Sequence, residues 1–423
     1  MTPGARLAAA IEVLSEIFVR GAAADRALVG WGRAHRFAGS KDRAAIAERT
    51  YLVLRRRNEC AYRVGDESAR ALVIGSLSVA DGLTTDAINA LLQDGTHAPG
   101  ALTDVERAAL ERMLHAPSEP WVRLNYPQWL HPELSAAFGA RLEVEVAGLN
   151  GRAPVDLRVN TLKAKRDHVL DEFERAGIAA KACPHAPTGV RVAGGNDAKI
   201  TKLETYESGR VEVQDEASQI AVLLAGAKAG DTVIDLAAGG VGKALALAAV
   251  MQNKGRVLAC DVGAGRLAQL APRADRAGAT IIEIAGDPYV LALPGTGADV
   301  VFVDAPCSGT GTWRRNPEAK WTLTPARLDG YRAAQVQLLD RAAGLCAAQG
   351  RIVYATCSVL PSEGPAQVDA FLARHPGWSV KRATDIWTVA TKTTPPTGLA
   401  RFGALTPAQD GTDGFFTAVL ARA

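Results

Sequence analysis

The chain has no CxxC pair. Its six cysteines, Cys60, Cys183, Cys260, Cys307, Cys346 and Cys357, are scattered over 423 residues. That spacing argues against a zinc knuckle or other metal site and fits a reducing compartment. It also lacks a charge excess: a net +3 with 22% charged residues is not the balance of a disordered chain and does not by itself imply a nucleic-acid partner. There is no apolar signal core, since Arg6 and Glu12 interrupt the first apolar stretch. Lys228 and Lys243 break the later ones short of the ~20 residues that span a bilayer. A soluble, cytoplasmic, monomeric protein with no membrane partner is expected. No internal repeat is visible. The GK[ST] ending of a Walker loop is missing too, because Ala244 follows Lys243, which argues against a nucleoside triphosphate.

What is present divides the chain. Its length predicts two or three domains at roughly 100–200 residues each, and 48% hydrophobic residues can give each a core. Residues 1–149 read as all-α. Leu7, Ile11, Leu14, Ile17 and Phe18 recur at helical spacing, and Lys41–Arg56 repeats the pattern. Two basic clusters lie here, Arg33, Arg36, Lys41 and Arg43, then Arg55, Arg56, Arg57 and Arg63. Such clusters serve either as phosphate contacts or as solvated helix faces. Residues 150–205 read as a small α+β module with strands at Val155–Val159, Ala179–Ala182 and Val190–Val192. Residues 206–423 alternate strand and helix, which predicts a parallel sheet covered on both faces. Strands are expected at Thr232–Leu236, Arg256–Cys260, Ile281–Ala285, Val300–Val303, Arg351–Ala355 and Gly414–Leu420.

Ligands of such sheets sit outside the carboxyl ends of the strands. Asp235, Asp261, Asp287, Asp304 and Cys357 fall at or just past those ends. The glycine-bearing turn after the first strand, through Ala238, Gly239, Gly240, Val241, Gly242 and Lys243, lets a cofactor approach backbone and helix N-terminus, and Asp261 is placed to hold ribose hydroxyls. A free cysteine is ordinarily a small buried hydrophobe. Two at corresponding strand ends, Cys307 beside Asp304 and Cys357 after Tyr354-Ala-Thr, suggest chemistry. A thiolate that adds to carbon 6 of cytosine makes carbon 5 nucleophilic enough to accept a methyl group, and a second group must then help release the adduct.

Four motifs carry a resemblance: DAPCSGTGTWRRNP (Asp304–Pro317), YATCSVLP (Tyr354–Pro361), VQDEASQ (Val213–Gln219) and DGFF (Asp413–Phe416). In this order they are similar to those of the Sun/Nop family of RNA cytosine methyltransferases, over about Val155 to Ala423. The module around LRVNTLK (Leu157–Lys163) resembles that family's RNA-recognition-like subdomain, and KDRAAIAERTYLVLRRR (Lys41–Arg57) resembles a NusB-like helical domain. The resemblance implies a Rossmann-like methyltransferase domain that uses S-adenosylmethionine on carbon 5 of an RNA cytosine, with small-subunit ribosomal RNA as the implied target. It implies Cys357 as nucleophile, Cys307 in product release and Asp304 at the cytosine. It puts the cofactor against Ala238–Lys243, Asp261, Asp287 and Asp304. Trp313, Arg314, Arg315 and Lys320 follow Cys307 and are expected to stack on or neutralise RNA. Ala237, Val241 and Ala244 depart from the family's first motif, as do Glu363-Gly364-Pro365 after the nucleophile. A β-branched residue at position 241 is costly if the turn needs a positive φ, and its side chain would then crowd the cofactor. The alternative expectation is therefore a family member that binds RNA as an assembly factor with weak or lost catalysis.

Overall fold

A computed structural model describes residues 1–113, 115–193, 200–292 and 297–422. The chain divides into two compact units. One comprises Met1–Asn150 with Trp313–Thr324, the other Gly151–Thr312 with Pro325–Ala423.

The first unit is helical. Thr2 caps the helix Pro3–Arg20 by accepting from the Ala5 amide, with proline in the first turn. Further helices include Ala24–Ala34, Ser40–Arg55, Arg57–Val64 and Ala69–Val79. Their shared core holds Leu14, Ile17, Ile46, Val53, Leu54, Leu72 and Ile74. Each such fully buried aliphatic side chain contributes about 1.5–3 kcal/mol.

The second unit contains two sheets. The small one has strands β1 (Val155–Val159), β2 (Ala180–Ala182), β3 (Gly189–Val192) and β4 (Val211–Val213) in the order β2-β3-β1-β4, all antiparallel. The module thus runs past the boundary expected at residue 205, because β4 completes its sheet. The large sheet has eight strands: β5 (Thr232–Asp235), β6 (Arg256–Cys260), β7 (Ile282–Gly286), β8 (Ala298–Asp304), β9 (Cys346–Thr356), β10 (Trp378–Lys381), β11 (Gly403–Leu405) and β12 (Phe415–Arg422). Its order is β10-β12-β9-β8-β5-β6-β7, with β11 beside β12.

The expected parallel arrangement holds from β9 through β7, but β12 runs antiparallel to β9, β10 and β11. Sequence reading missed β10 and β11, which are short and lie at or beside an edge. The central strand β8 reads Val300-Val-Phe-Val303 and is buried on both sides, as a strand covered on both faces requires. One apolar cluster, with Phe302, Val353 and Trp387, fills one side of the sheet, and another, with Val301, Tyr354 and Phe371, fills the other. The strand order reverses direction between β5 and β8, so ligand-binding groups are expected at their carboxyl ends.

Candidate active site

Three loops meet beyond those ends. The loop after β8 carries Cys307, the one after β9 carries Cys357, and their sulfurs lie 3.4 Å apart. Backbone bonds lock them together: the Gly311 amide donates to the Cys357 carbonyl at 3.0 Å, and the Gly414 amide donates to the Gly311 carbonyl at 2.8 Å. A Cβ on Gly311 would stand 1.9 Å from the Gly414 carbonyl oxygen. Only glycine permits this approach, which is a physical reason for pairing the DAPCSGTG and DGFF motifs in one chain.

The other cysteines differ from this pair. Cys60, Cys183, Cys260 and Cys346 are buried, whereas Cys307 and Cys357 are half-buried. Burial pushes the thiols of Cys60 and Cys260 up to about 12 and Cys346 to about 11, which makes them inert. Cys307 is also raised, by its hydrogen bond with Cys357, then by burial, then by the negative charges of Cys357 and Glu363.

Lys243, in the first turn of the helix Gly242–Val250, donates to Asp304 Oδ2 at 2.6 Å and lies 5.3 Å from the Phe415 ring centre. Burial works against its ammonium, but the charges of Asp304, Cys357 and Asp235 outweigh that, so its pKa is raised.

Beside this lysine is a cavity of about 230 Å³ lined by Gln214, Asp235, Ala237, Ala238, the Gly240–Lys243 turn, Arg273 and Asp304, among others. Of the residues expected to hold a cofactor, Ala238, Gly240, Val241, Gly242, Lys243 and Asp304 border it, and Gly239 does not. Asp261 and Asp287 lie outside its lining, at the ends of β6 and β7. Asp261 Oδ1 accepts from the Gly263 amide and from Arg266, while Asp287 is exposed and accepts from the Tyr289 amide. Gln214, Asp215, Ser218 and Arg273 border the cavity without having been assigned a role from sequence. The first three lie in the VQDEASQ motif, but no local signal marks Arg273. It reaches in from the helix Leu270–Ala277 to donate to the Gly240 carbonyl at 2.6 Å and to Glu212 at 2.9 Å.

The wider likeness agrees with this geometry. A family model described as 16S rRNA methyltransferase RsmB/F matches residues 221–421, and an RsmF/B-like ferredoxin-like domain matches 126–199. The ribosomal RNA small subunit methyltransferase B of Pseudomonas syringae pv. tomato is 33% identical over 325 residues, covering 76% of this chain and 71% of that protein. The chain belongs to the 16S rRNA methyltransferase RsmB/F family. A probable small subunit methyltransferase B of Bacillus subtilis is 31% identical, covering 75% of this chain and 71% of its own length. Among solved structures, that of PH0851 superposes with a TM-score of 0.76 at 25% identity over 100% of this chain and 99% of that one. The structure of NSun6 from Pyrococcus horikoshii with SFG has a TM-score of 0.60 at 19% identity, covering 70% of this chain and 98% of that one, and supports the fold.

The turn of this RsmB/F family member has an unusual backbone. Val241 sits at φ 60°, ψ −23°, the left-handed region that a β-branched residue avoids. Its side chain does not crowd the cavity. It is only 2% exposed, packed with Ala238, Leu245, Leu267 and Leu270. Strain of about 1–3 kcal/mol is therefore offset by burial of about 1.5–3 kcal/mol. Val241→Gly removes both and is expected to be nearly neutral. Val241→Ala keeps the strain, loses packing and should be the less stable variant by about 1 kcal/mol. Urea denaturation of the two decides this, and equal or reversed midpoints would contradict the offset.

The residues fit S-adenosylmethionine on two observations. Asp235 is buried on the cavity wall with Oδ1 lacking any hydrogen-bond partner. Its carboxyl is pushed up to about 7 by burial and by the charge of Asp304, as suits an acid that awaits a donor or cation. A Cβ on Gly239 would stand 2.7 Å from Asp261 Oδ2, so the turn is bare where the two strand ends come together.

The structure corrects the RNA assignment made after Cys307. Trp313 and Lys320 are fully buried and Arg314 is 6% exposed, inside the helical unit. Lys320 donates to the Asn125 carbonyl at 3.0 Å and to Asn150 Oδ1, so no phosphate reaches it. Arg315 is half-buried. No sequence signal marks this segment as folding with residues 1–150. Of the earlier basic clusters, Arg55, Arg56, Arg57 and Arg63 bond within the helical unit, to the Arg314 carbonyl, Glu59, Glu67 and the Ala109 carbonyl among others. Arg33, Arg36, Lys41 and Arg43 are exposed. No helix among the described residues is long and apolar enough to cross a membrane. Asp156, Cys183 and Glu216 bring ligating atoms together, but Arg191 pairs with both acids.

Proposed function

We propose that this ribosomal RNA methyltransferase modifies carbon 5 of a cytosine in small-subunit RNA through a covalent adduct on Cys357. The observation that carries this reading is the cysteine pair, sulfur to sulfur at 3.4 Å, with Lys243 and Asp304 beside it. A methyltransferase acting on a nucleophilic ring nitrogen has no use for two facing thiols. Carbon 5 needs one to add and something to release it.

S-adenosylmethionine, when bound, would supply a methyl group on a sulfonium; the Ala238–Lys243 turn, Asp235 and Asp304 would hold it, with Asp261 and Asp287 at the neighbouring strand ends. The target base leaves its stack to enter the site. Lys243 steadies the Cys357 thiolate. The Cys357 sulfur forms a bond to carbon 6, and the electron pair of the 5,6 double bond becomes available at carbon 5. Asp304 faces the base and bonds to its ring edge. After carbon 5 is methylated, its proton is lost to solvent in the release step that Cys307 assists. The double bond re-forms, and the carbon 6–sulfur bond breaks with its electrons returning to Cys357.

The test is product analysis. Small-subunit RNA is incubated with the protein and methyl-labelled S-adenosylmethionine, then digested to nucleosides. Label in 5-methylcytidine supports the reading, and label in any other nucleoside sinks it. The non-catalytic alternative rested on the altered turn, Ala237, Val241 and Ala244, of which the Val241 side chain is packed in the core.

RNA is held in part by the exposed basic cluster at the end of the helix Ala24–Ala34 and the start of the next, where Phe37 is 73% exposed. Replacing Arg33, Arg36 and Lys41 with alanine should weaken RNA binding and flatten the log Kd against log salt slope by about 0.7–0.9 per lost phosphate contact. An unchanged salt slope would move the contact elsewhere.

A further inference from the structure

Glu363 has no place in the mechanism so far. It lies just past the Cys357 loop and is completely buried. Three donors converge on its carboxylate: the Ser308 amide at 2.9 Å, the Ser308 hydroxyl, and Gln335 Nε2 at 3.0 Å. Among the described residues no lysine, arginine or histidine pairs with it, so a carboxylate is buried without a cation. Such charges are costly and mark sites where the charge itself serves a purpose.

The same contacts surround Cys307. Gln335 Nε2 also donates to the Pro306 carbonyl at 2.9 Å. The residue before Cys307 and the residue after it are thus tied, through Gln335 and directly, to one carboxylate. The titratable groups facing the two sulfurs are unequal. Cys307 meets Cys357, Glu363 and the buried Tyr354 phenol, whose hydroxyl donates to the Glu363 carbonyl at 2.7 Å. On the other side, Cys357 has Lys243, itself paired with Asp304.

We propose that Glu363 is a positioning residue that keeps the proton of the cysteine pair on Cys307 and so reserves Cys357 as the nucleophile. This rests on the carbon 5 reading above and supplies a reason for its division of labour. The negative charge of Glu363 disfavours a thiolate at Cys307, while the Lys243 ammonium favours one at Cys357. The Cys307 S–H then donates to the Cys357 sulfur across the 3.4 Å gap.

Alkylation of the full-length protein by iodoacetamide tests the assignment without RNA or cofactor. Peptide mass spectrometry follows each cysteine as pH is raised. In the unaltered protein Cys357 should react first and Cys307 only at higher pH; the reverse order overturns the proposal even if no variant folds. Glu363→Gln keeps the shape and the Oε1 acceptor and removes the charge. It should raise labelling of Cys307 relative to Cys357 about tenfold at neutral pH, one pKa unit of relief, and shift the Cys307 profile to lower pH. An unchanged ratio in folded E363Q overturns the proposal. Ser308→Ala leaves the charge in place and should preserve the labelling order; a ratio shifted as in E363Q overturns the role of charge. If labelling runs as expected but product analysis shows no 5-methylcytidine, the carbon 5 reading fails and the proton assignment stands.

Discussion

Cys307→Ala protein recovered from cells that make ribosomal RNA will carry RNA through a covalent bond to Cys357. The two sulfurs face each other at 3.4 Å, and only one can form the bond to carbon 6. With Cys357 beside the Lys243 ammonium and Cys307 beside the Glu363 carboxylate, the proposed mechanism makes the first the nucleophile and gives the second to release. Removing Cys307 therefore blocks exit and leaves entry open. On a denaturing gel, part of the protein should migrate slowly, and nuclease should return it to its normal position. Adding Cys357→Ala should abolish the slow band. An adduct that forms with Cys357→Ala alone would reverse the roles, and the sequence of the trapped RNA names the substrate. A turnover loss of about 10²–10⁴-fold is expected in C307A, the usual scale for losing a group that assists proton transfer.

The sequence made the candidate residues on the sheet rim easier to place than their surroundings. Asp235, Asp304 and Cys357 could be placed from sequence because apolar runs such as Val300-Val-Phe-Val303 end abruptly in polar side chains, and parallel strands put those ends on one rim. The glycine turn was visible for the same reason. Arg273 was not, because its contact with the Gly240 carbonyl depends on how a distant helix packs. Glu363 sat in plain view only as a departure from a familiar motif, and its burial depends on the Ser308 and Gln335 contacts. Lys320 misled in the opposite way. A lysine near an active cysteine invites a phosphate, but the segment from Trp313 to Thr324 belongs to the helical unit, where the ammonium is spent on carbonyl groups. The antiparallel β12 was legible as a strand but not in direction, since alternation and length carry no sign.

Lys243→Met is expected to cost most of the activity while leaving the fold largely in place. Lys243 and Asp304 are 14% and 31% exposed, so breaking their pair should cost less than the about 3–5 kcal/mol of a fully buried one. The chemical cost is larger. Without the ammonium, the Cys357 sulfur loses the Lys243 charge and Asp235 loses the one charge that favours its ionised form. Burial and the charge of Asp304 push the Asp235 carboxyl up to about 7 in the folded chain, against about 3.9 for an ordinary aspartate. Between those values the folded state binds more protons than the unfolded one, so this group's contribution to stability falls as pH rises through the window. Methionine at 243 should widen the window upward and make the variant lose more stability than the parent between neutral and mildly alkaline pH. Adduct formation in a Cys307→Ala background should slow by about 10²–10³-fold, with a parallel drop in iodoacetamide labelling of Cys357. If labelling of Cys357 in the folded variant matches that of the parent, Lys243 has no hold on the thiolate, and its place at the cavity wall serves the cofactor alone.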